Sequence, residues 1–270
     1  MPRIPLNRRT RRRLVRSLVI LLSLSLVLIA RQELWQPRTI SQNLETARSV
    51  LWVTAHPDDE SFFFAPSITN LIGEGSDRRG NLLCLSVGGY EGLGSIRERE
   101  LKESCRVLNI DDDRCIALDH PELPDDPSVA WSAELTTRIV EEHVAKWNVD
   151  AIITFDSHGV SGHANHRAIH DNLLQAVQSK RLTIPVYAVR STDILSKYTS
   201  IALLPLALLR HVAATSLSRS RRDSSLFLNS FEQFAIARRS FGAHASQARW
   251  FRTLFVSASR YLWYIELERI

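Results

Sequence analysis

Cysteine is scarce in this chain: three residues in 270, Cys84, Cys105 and Cys115, with no CxxC pair among them. An odd count at that spacing fits neither a disulfide framework nor a cysteine zinc cluster. Cys84 and Cys115 fall in apolar runs, so buried free thiols in a reducing compartment are expected. Surplus positive charge is just as scarce outside the N-terminus. The formal net charge is +5, and Arg3, Arg8, Arg9, Arg11, Arg12, Arg13 and Arg16 lie within the first sixteen residues, which leaves the remainder near neutral. Such a body lacks the basic surface that binding to a phosphate backbone requires, so no nucleic-acid partner is expected. There is no internal repeat, and the loop Gly88-Gly89-Tyr90-Glu91-Gly92 lacks the spacing of a nucleotide fingerprint. It implies flexibility and nothing more.

What is present begins with an uncharged run, Ser17 to Ala30, directly after the arginines. As a helix it spans roughly 21 Å against a hydrocarbon core of about 30 Å. With Leu14 and Val15 added, and Arg16 and Arg31 snorkelling, it makes a short membrane-spanning helix. A cleaved signal peptide has a similar opening but needs a small-x-small cleavage site, and Ala30-Arg31-Gln32 is a poor match. The expected organisation is a basic tail (1–16), an anchor helix (17–30), a linker (31–48) and one large domain (49–270). By the positive-inside rule the arginines stay in the cytosol and the following domain is sent across the membrane. A second apolar stretch, 201–209, is too short to span; a core helix and a membrane-dipping segment both fit it.

From residue 49 onward, strand-like and helix-like pieces alternate, the pattern of a parallel sheet with crossover helices. Strands are expected at 49–54, 81–87, 115–119, 150–156 and 185–190, and helices at 61–74, 95–108, 131–147 and 165–179. The polar stretch 216–225 reads as a loop before a final helical region, 226–270. The fold class is α/β, a mostly parallel sheet flanked by helices.

Two of the expected strands deliver metal-type side chains just past their ends. The first opens onto His56-Pro57-Asp58-Asp59-Glu60, and the strand ending at Asp156 is followed by Ser161-Gly162-His163-Ala164-Asn165-His166. Parallel sheets gather ligand sites at the carboxyl ends of their strands. His56 and Asp59 share with His163 and His166 a spacing of three that lets each pair converge on one ion. A catalytic zinc takes three protein ligands and leaves a position open, so one of the four candidates has another task. Asp58 and Glu60 are candidates for the base that takes a proton from water. Each piece also has a plainer reading: an Asp N-cap on the helix from 61, and surface histidines on the helix from 165.

Ala55-His56-Pro57-Asp58-Asp59-Glu60, together with Gly159-Val160-Ser161-Gly162-His163-Ala164-Asn165-His166, resembles the PIG-L/LmbE-like family of zinc-dependent de-N-acetylases. Further segments resemble its branch acting on N-acetylglucosaminyl-phosphatidylinositol (GlcNAc-PI): Gly92 to Arg97, Asp119 to Pro127 with Trp131, and His244 to Gln247 followed by Trp250-Phe251-Arg252 and Ser259 to Trp263. The resemblance covers residues 49 to 270. It implies a Rossmann-like fold and one zinc, or another divalent metal, held by His56, Asp59 and His166. It further implies Asp58 as general base and His163 as the group that stabilises or protonates the developing charge. Arg97 is expected at the substrate phosphate, Asp119 at sugar hydroxyls, and Asp156 as the group orienting a ligand imidazole. His158 has no assigned role beyond a surface loop. The implied partners are a glycolipid substrate, GlcNAc-PI, and a membrane. The implied location is the endoplasmic reticulum membrane with the domain facing the cytosol, against the arginine tail. Another N-acetylated glycoconjugate, or a non-catalytic membrane scaffold, are the alternatives.

Overall fold

The computed structural model describes residues 7–217 and 223–270; Arg3 of the basic tail and residues 218–222 of the expected arginine-rich loop lie outside them. Seven strands form one sheet: β1 (Ser49–Thr54), β2 (Arg79–Cys84), β3 (Cys115–Ala117), β4 (Ala151–Phe155), β5 (Val186–Val189), β6 (Ser224–Leu228) and β7 (Tyr264–Arg269). Their order is β3-β2-β1-β4-β5-β7-β6. The five expected strands are all present and mutually parallel. β1 and β4 are buried along their whole length, as continuous apolar strands covered on both faces must be.

The principal helices are α1 (Arg8–Ala30), α2 (Ala65–Leu71), α3 (Gly94–Val107), α4 (Ala133–Trp147), α5 (Ala164–Gln178), α6 (Leu204–Leu217), α7 (Phe231–Gly242) and α8 (Trp250–Ala258). Ser132 caps α4 by accepting from the Leu135 amide, and Asn148 ends it in the left-handed region. From β1 the chain moves outward through β2 to β3, then returns to place β4 on the other side of β1. That reversal opens a crevice at the carboxyl ends of β1 and β4, where open α/β sheets bind ligands.

Four expectations need correction. The region from 226 is not simply helical: it supplies β6 and β7, which pair antiparallel with each other, and β7 pairs antiparallel with β5. Short apolar runs such as Leu226-Phe227-Leu228 do not distinguish helix from strand by periodicity. The supposed linker 31–48 is a packed strap of short helices. In it, Ser41 Oγ donates to the Tyr187 hydroxyl at 2.9 Å and Thr39 Oγ1 to Leu226 O at 2.9 Å, with Leu44 fully buried. Part of the expected loop is strand, since β6 starts at Ser224. Finally, Cys105 and Cys115 form a disulfide with Cα atoms 6.4 Å apart, and Cys84 alone is free and buried. The nine intervening residues fold back, so the end of α3 meets the start of β3; linear spacing does not reveal this.

Segment 201–209 runs into α6, which is half in and half out. Leu204 and Ala207 are buried beside Ile29 of α1, while Leu206 and Leu209 are exposed.

Candidate metal centre and active site

The first half of the site is the turn after β1. Asp59 Oδ2 accepts the amides of Ala55 at 3.0 Å and His56 at 2.9 Å, so its carboxylate reaches back to the strand end. It makes no N-cap hydrogen bond to the helix that follows, which rules out the plain capping reading. Asp58 sits at φ 125°, a region costly for a residue with a Cβ and one that clusters at functional sites. Residues Glu60–Phe64 then form a π-helical turn, a wider winding also common at such sites.

Glu60 is not available as a base. It is fully buried and turned inward, accepting the Asp58 amide at 3.0 Å, Ser104 Oγ at 2.5 Å and His244 Nε2 at 2.6 Å. Burial pushes its carboxyl up, but the His244 imidazole outweighs that and holds it below the usual range. His244 responds in kind: burial lowers it, and Glu60 raises it further. This pair fixes the strained Asp58 backbone from behind.

The second half follows β4. Asp156 accepts the amides of His158 and Gly159 at 3.1 and 3.0 Å, and both the amide and the hydroxyl of Ser191 at 2.6 Å. It therefore does not touch the His166 imidazole. It holds the turn whose Gly159 carbonyl lies 3.0 Å from His166 Nδ1. Gly159 has φ +65°, and a Cβ there would stand 2.7 Å from that of His166, so only glycine fits. The contact puts the proton on Nδ1 and leaves a lone pair on Nε2. The ring stacks on Phe155 at 4.0 Å, ending β4 and fixing the imidazole plane. His158 is exposed, as a surface loop residue should be.

The two halves converge. His56, His163 and His166 each present a ring nitrogen, and these nitrogens lie within 4.8 Å of one another. Asp59 Oδ1 is 3.3 Å from His166 Nε2, yet that buried nitrogen makes no hydrogen bond. A buried lone pair facing a carboxylate and two further imidazoles is a donor set suited to a divalent ion such as zinc. Burial raises the Asp59 carboxyl, but His166 and then His56 overcome this and hold it well below the ordinary range. His163 is pushed down to about 4 by burial and by His56 and His166. Its Nδ1 accepts the Asn165 amide at 3.3 Å, so in the neutral ring the proton sits on Nε2.

Above these groups lies a cleft of about 920 Å³. Asp58 lines it, with Oδ2 held by Arg252 Nη1 at 2.6 Å and Arg97 Nη2 at 3.6 Å. Burial raises the Asp58 carboxyl, Arg252 opposes that, and Asp59 adds to it; the net direction is upward. Arg97 also lines the cleft, but it is buried and donates to Pro57 O at 2.8 Å and Gly88 O at 3.0 Å. A Cβ on Gly88 would overlap that guanidinium at 2.3 Å. Arg97 thus ties two loops together at the cleft wall. Asp119 is not part of the site: it is exposed and absent from the cleft lining. Beyond it the chain turns, with the Leu123 amide bonded to His120 O at 2.9 Å, and delivers Asp125 instead. Asp125 Oδ1 is 3.0 Å from His56 Nε2, and Oδ2 is 3.5 Å from Arg97.

Asp125, Asn165, Arg252 and His244 are the residues that sequence reasoning did not single out. All lie in segments that carry the family resemblance, and that was their only signal. Asn165 Nδ2 is 3.2 Å from His56 Nε2.

Comparison with known proteins agrees with the geometry. The PIG-L: GlcNAc-PI de-N-acetylase family profile matches residues 51–177. The chain is 37% identical over 214 residues to N-acetylglucosaminyl-phosphatidylinositol de-N-acetylase of Bos taurus, covering 78% of this chain and 79% of that one. It is 31% identical over 216 residues to a probable enzyme of the same name from Schizosaccharomyces pombe, covering 79% and 84%. In structure it matches N,N'-diacetylchitobiose deacetylase from Pyrococcus horikoshii with a TM-score of 0.60 over 92% of both chains, at 14% identity, a likeness of fold. With a histidine and carboxylate cluster at the β1–β4 crevice and relatives matched over most of its length, this chain belongs to the PIG-L family of GlcNAc-PI de-N-acetylases.

Proposed function

We propose that this protein hydrolyses the N-acetyl group of GlcNAc-PI, giving glucosaminyl-phosphatidylinositol and acetate, an early step of GPI-anchor biosynthesis. The observation that carries the reading is the convergence of His56, Asp59 and His166 beneath a cleft that also holds Asp58. His56, Asp59 and His166 would hold the metal, with zinc the best fit to two imidazoles and a carboxylate. When bound, the ion supplies Lewis acidity toward the acetamide carbonyl and makes water easier to deprotonate.

The protein's own groups do the rest. Asp58, its carboxyl raised by burial and aimed by Arg252, takes the proton of the attacking water and passes it to the departing amine. His163, neutral with its proton on Nε2, donates a hydrogen bond to the acetamide oxygen as charge grows there. Arg97 lies within reach of a substrate phosphate at the cleft wall while bracing the loops after β1 and β2. Asp125 orients His56, and Asp156 orients His166 through the Gly159 turn.

α1 is the one helix among the described residues long and apolar enough to cross a membrane, which suits a lipid-linked substrate. We assign it as an uncleaved single span in the endoplasmic reticulum membrane, with the domain on the cytosolic side as the resemblance implies.

The test is deacetylation of GlcNAc-PI by purified protein in detergent, before and after chelation and zinc return. Turnover that disappears with chelation and returns with zinc is expected. Stoichiometric zinc with no turnover on GlcNAc-PI rules out this substrate and directs attention to other N-acetylated glycoconjugates.

A further inference from the structure

The cleft does not open onto a uniformly polar surface. Near its mouth the short helix Ile194–Lys197 exposes Ile194 (72%) and Leu195 (80%), and the start of α8 exposes Trp250 (79%) with Leu254 one turn on. Tyr198, Trp250 and Leu254 line the cleft itself. The other side of α8 is well anchored: Phe255 packs edge-on to Phe62, Phe63 and Tyr198. The exposed apolar side chains are therefore presented on a fixed platform.

This platform is joined to the anchor helix. The Ser200 amide bonds to Ala258 O at the end of α8 at 3.0 Å, and the next residue, Ile201, accepts Ser25 Oγ of α1 at 2.6 Å. Ser25 lies five residues before the end of α1, about 8 Å along its axis. If α1 crosses a bilayer, Ile201 lies below the level where α1 leaves it. α6, which follows, packs Leu204 and Ala207 against Ile29 and turns Leu206, Leu209 (65%) and Val212 outward. Arg210, beside them, is exposed and long enough to reach headgroups from an apolar surface. Arg249, which pairs with Glu91 at 3.2 Å, and Lys197, which donates to Val160 O at 2.9 Å, line the cleft on the side where phosphates of the same leaflet would lie.

We propose that the C-terminal part of α1, α6, residues 194–198 and the start of α8 form one lipid-facing collar, which seats the mouth of the cleft on the bilayer that α1 enters. The collar rests on the reading of the substrate as a glycolipid. It lets the sugar headgroup reach His56 and His166 while the acyl chains stay in the membrane. The occupant is the phospholipid surface itself, because the collar is continuous with a helix of spanning length and carries cations at headgroup level.

The test uses the full chain in nanodiscs of phosphatidylcholine containing phosphatidylinositol. Nitroxides are attached to Leu195→Cys, to Leu209→Cys and, as a water-exposed control on α4, to Glu142→Cys. Burial of Cys84, Cys105 and Cys115 in the folded chain confines labelling to the new thiol. Labels at 195 and 209 are expected to collide several-fold more with oxygen than with an aqueous nickel chelate, the reverse of the label at 142. A label at 195 as water-exposed as that at 142 overturns the collar. In parallel, Leu195→Glu should lower turnover of membrane-embedded GlcNAc-PI about tenfold and leave that of water-soluble GlcNAc-inositol phosphate unchanged. Equal turnover of the embedded substrate by the variant and the parent also overturns it. The nitroxide readout needs no catalysis, so seated labels without any deacetylation would discard the proposed substrate and keep the collar.

Discussion

Asp58 combines a backbone at φ 125° with a carboxylate gripped by Arg252, and both features depend on residues far away in the chain. Asp58→Asn keeps the size of the side chain and removes its capacity to take a proton. Turnover should fall by about a hundredfold or more with zinc still bound in a 1:1 ratio, measured by steady-state kinetics and metal analysis. Near-parental turnover would show that another group is the base. The signal for Asp58, Asp59, His56, His163 and His166 was local, because each follows a strand-like run and its neighbours in sequence are its neighbours in the site. Asp125, Arg252 and His244 had no such signal. They arrive on loops and helices from elsewhere, and only the fold decides that Arg252 meets Asp58 or that His244 meets Glu60. The resemblance implies Asp119 at sugar hydroxyls, whereas the cleft is lined by Asp125, because a sequence does not show how far the chain turns after Asp119.

The segment Asp156–His166 works as a unit: Asp156 fixes the turn, the Gly159 carbonyl fixes His166, and Phe155 fixes the ring plane. Gly159→Ala would force a Cβ into 2.7 Å contact with His166 at φ +65°. Since Gly159 O is the direct partner of the imidazole proposed to hold the metal, zinc affinity should fall about ten- to a hundredfold, read by competition with a chelating dye. Unchanged affinity would mean that the turn does not set the ligand. At this scale the five parallel strands and their crossover helices were legible, because apolar runs and helical periodicity alternate cleanly from residue 49. The strap at 31–48 was not, since its packing rests on single polar contacts such as Ser41 with Tyr187. β7 was missed because Tyr264–Arg269 contains residues equally at home in a helix, and its strand state is imposed by pairing with β5 and β6.

For the molecule as a whole, three features bear on the side of the membrane the domain faces. The arginines before α1 favour a cytosolic tail and a translocated domain, and the Cys105–Cys115 disulfide belongs with an oxidising compartment. The family resemblance implies the opposite. Protease added to sealed microsomes is expected to digest the domain, and full protection would reverse the assignment. Thiol alkylation gives a second reading of the same question. On the cytosolic side Cys105 and Cys115 should alkylate after denaturation without added reductant, whereas on the luminal side they should do so only after reduction. The sheet order carries a separate consequence, for the timing of assembly during synthesis. β6 is an edge strand whose single sheet neighbour is β7, made later. The strap leans on β6 through Thr39 and Gln36. While the ribosome is still translating the region before β7, α1 has already emerged and can enter the membrane. β6 then lacks its sheet neighbour and the strap lacks its support on β6, so the domain next to the proposed anchor closes only once β7 has been released.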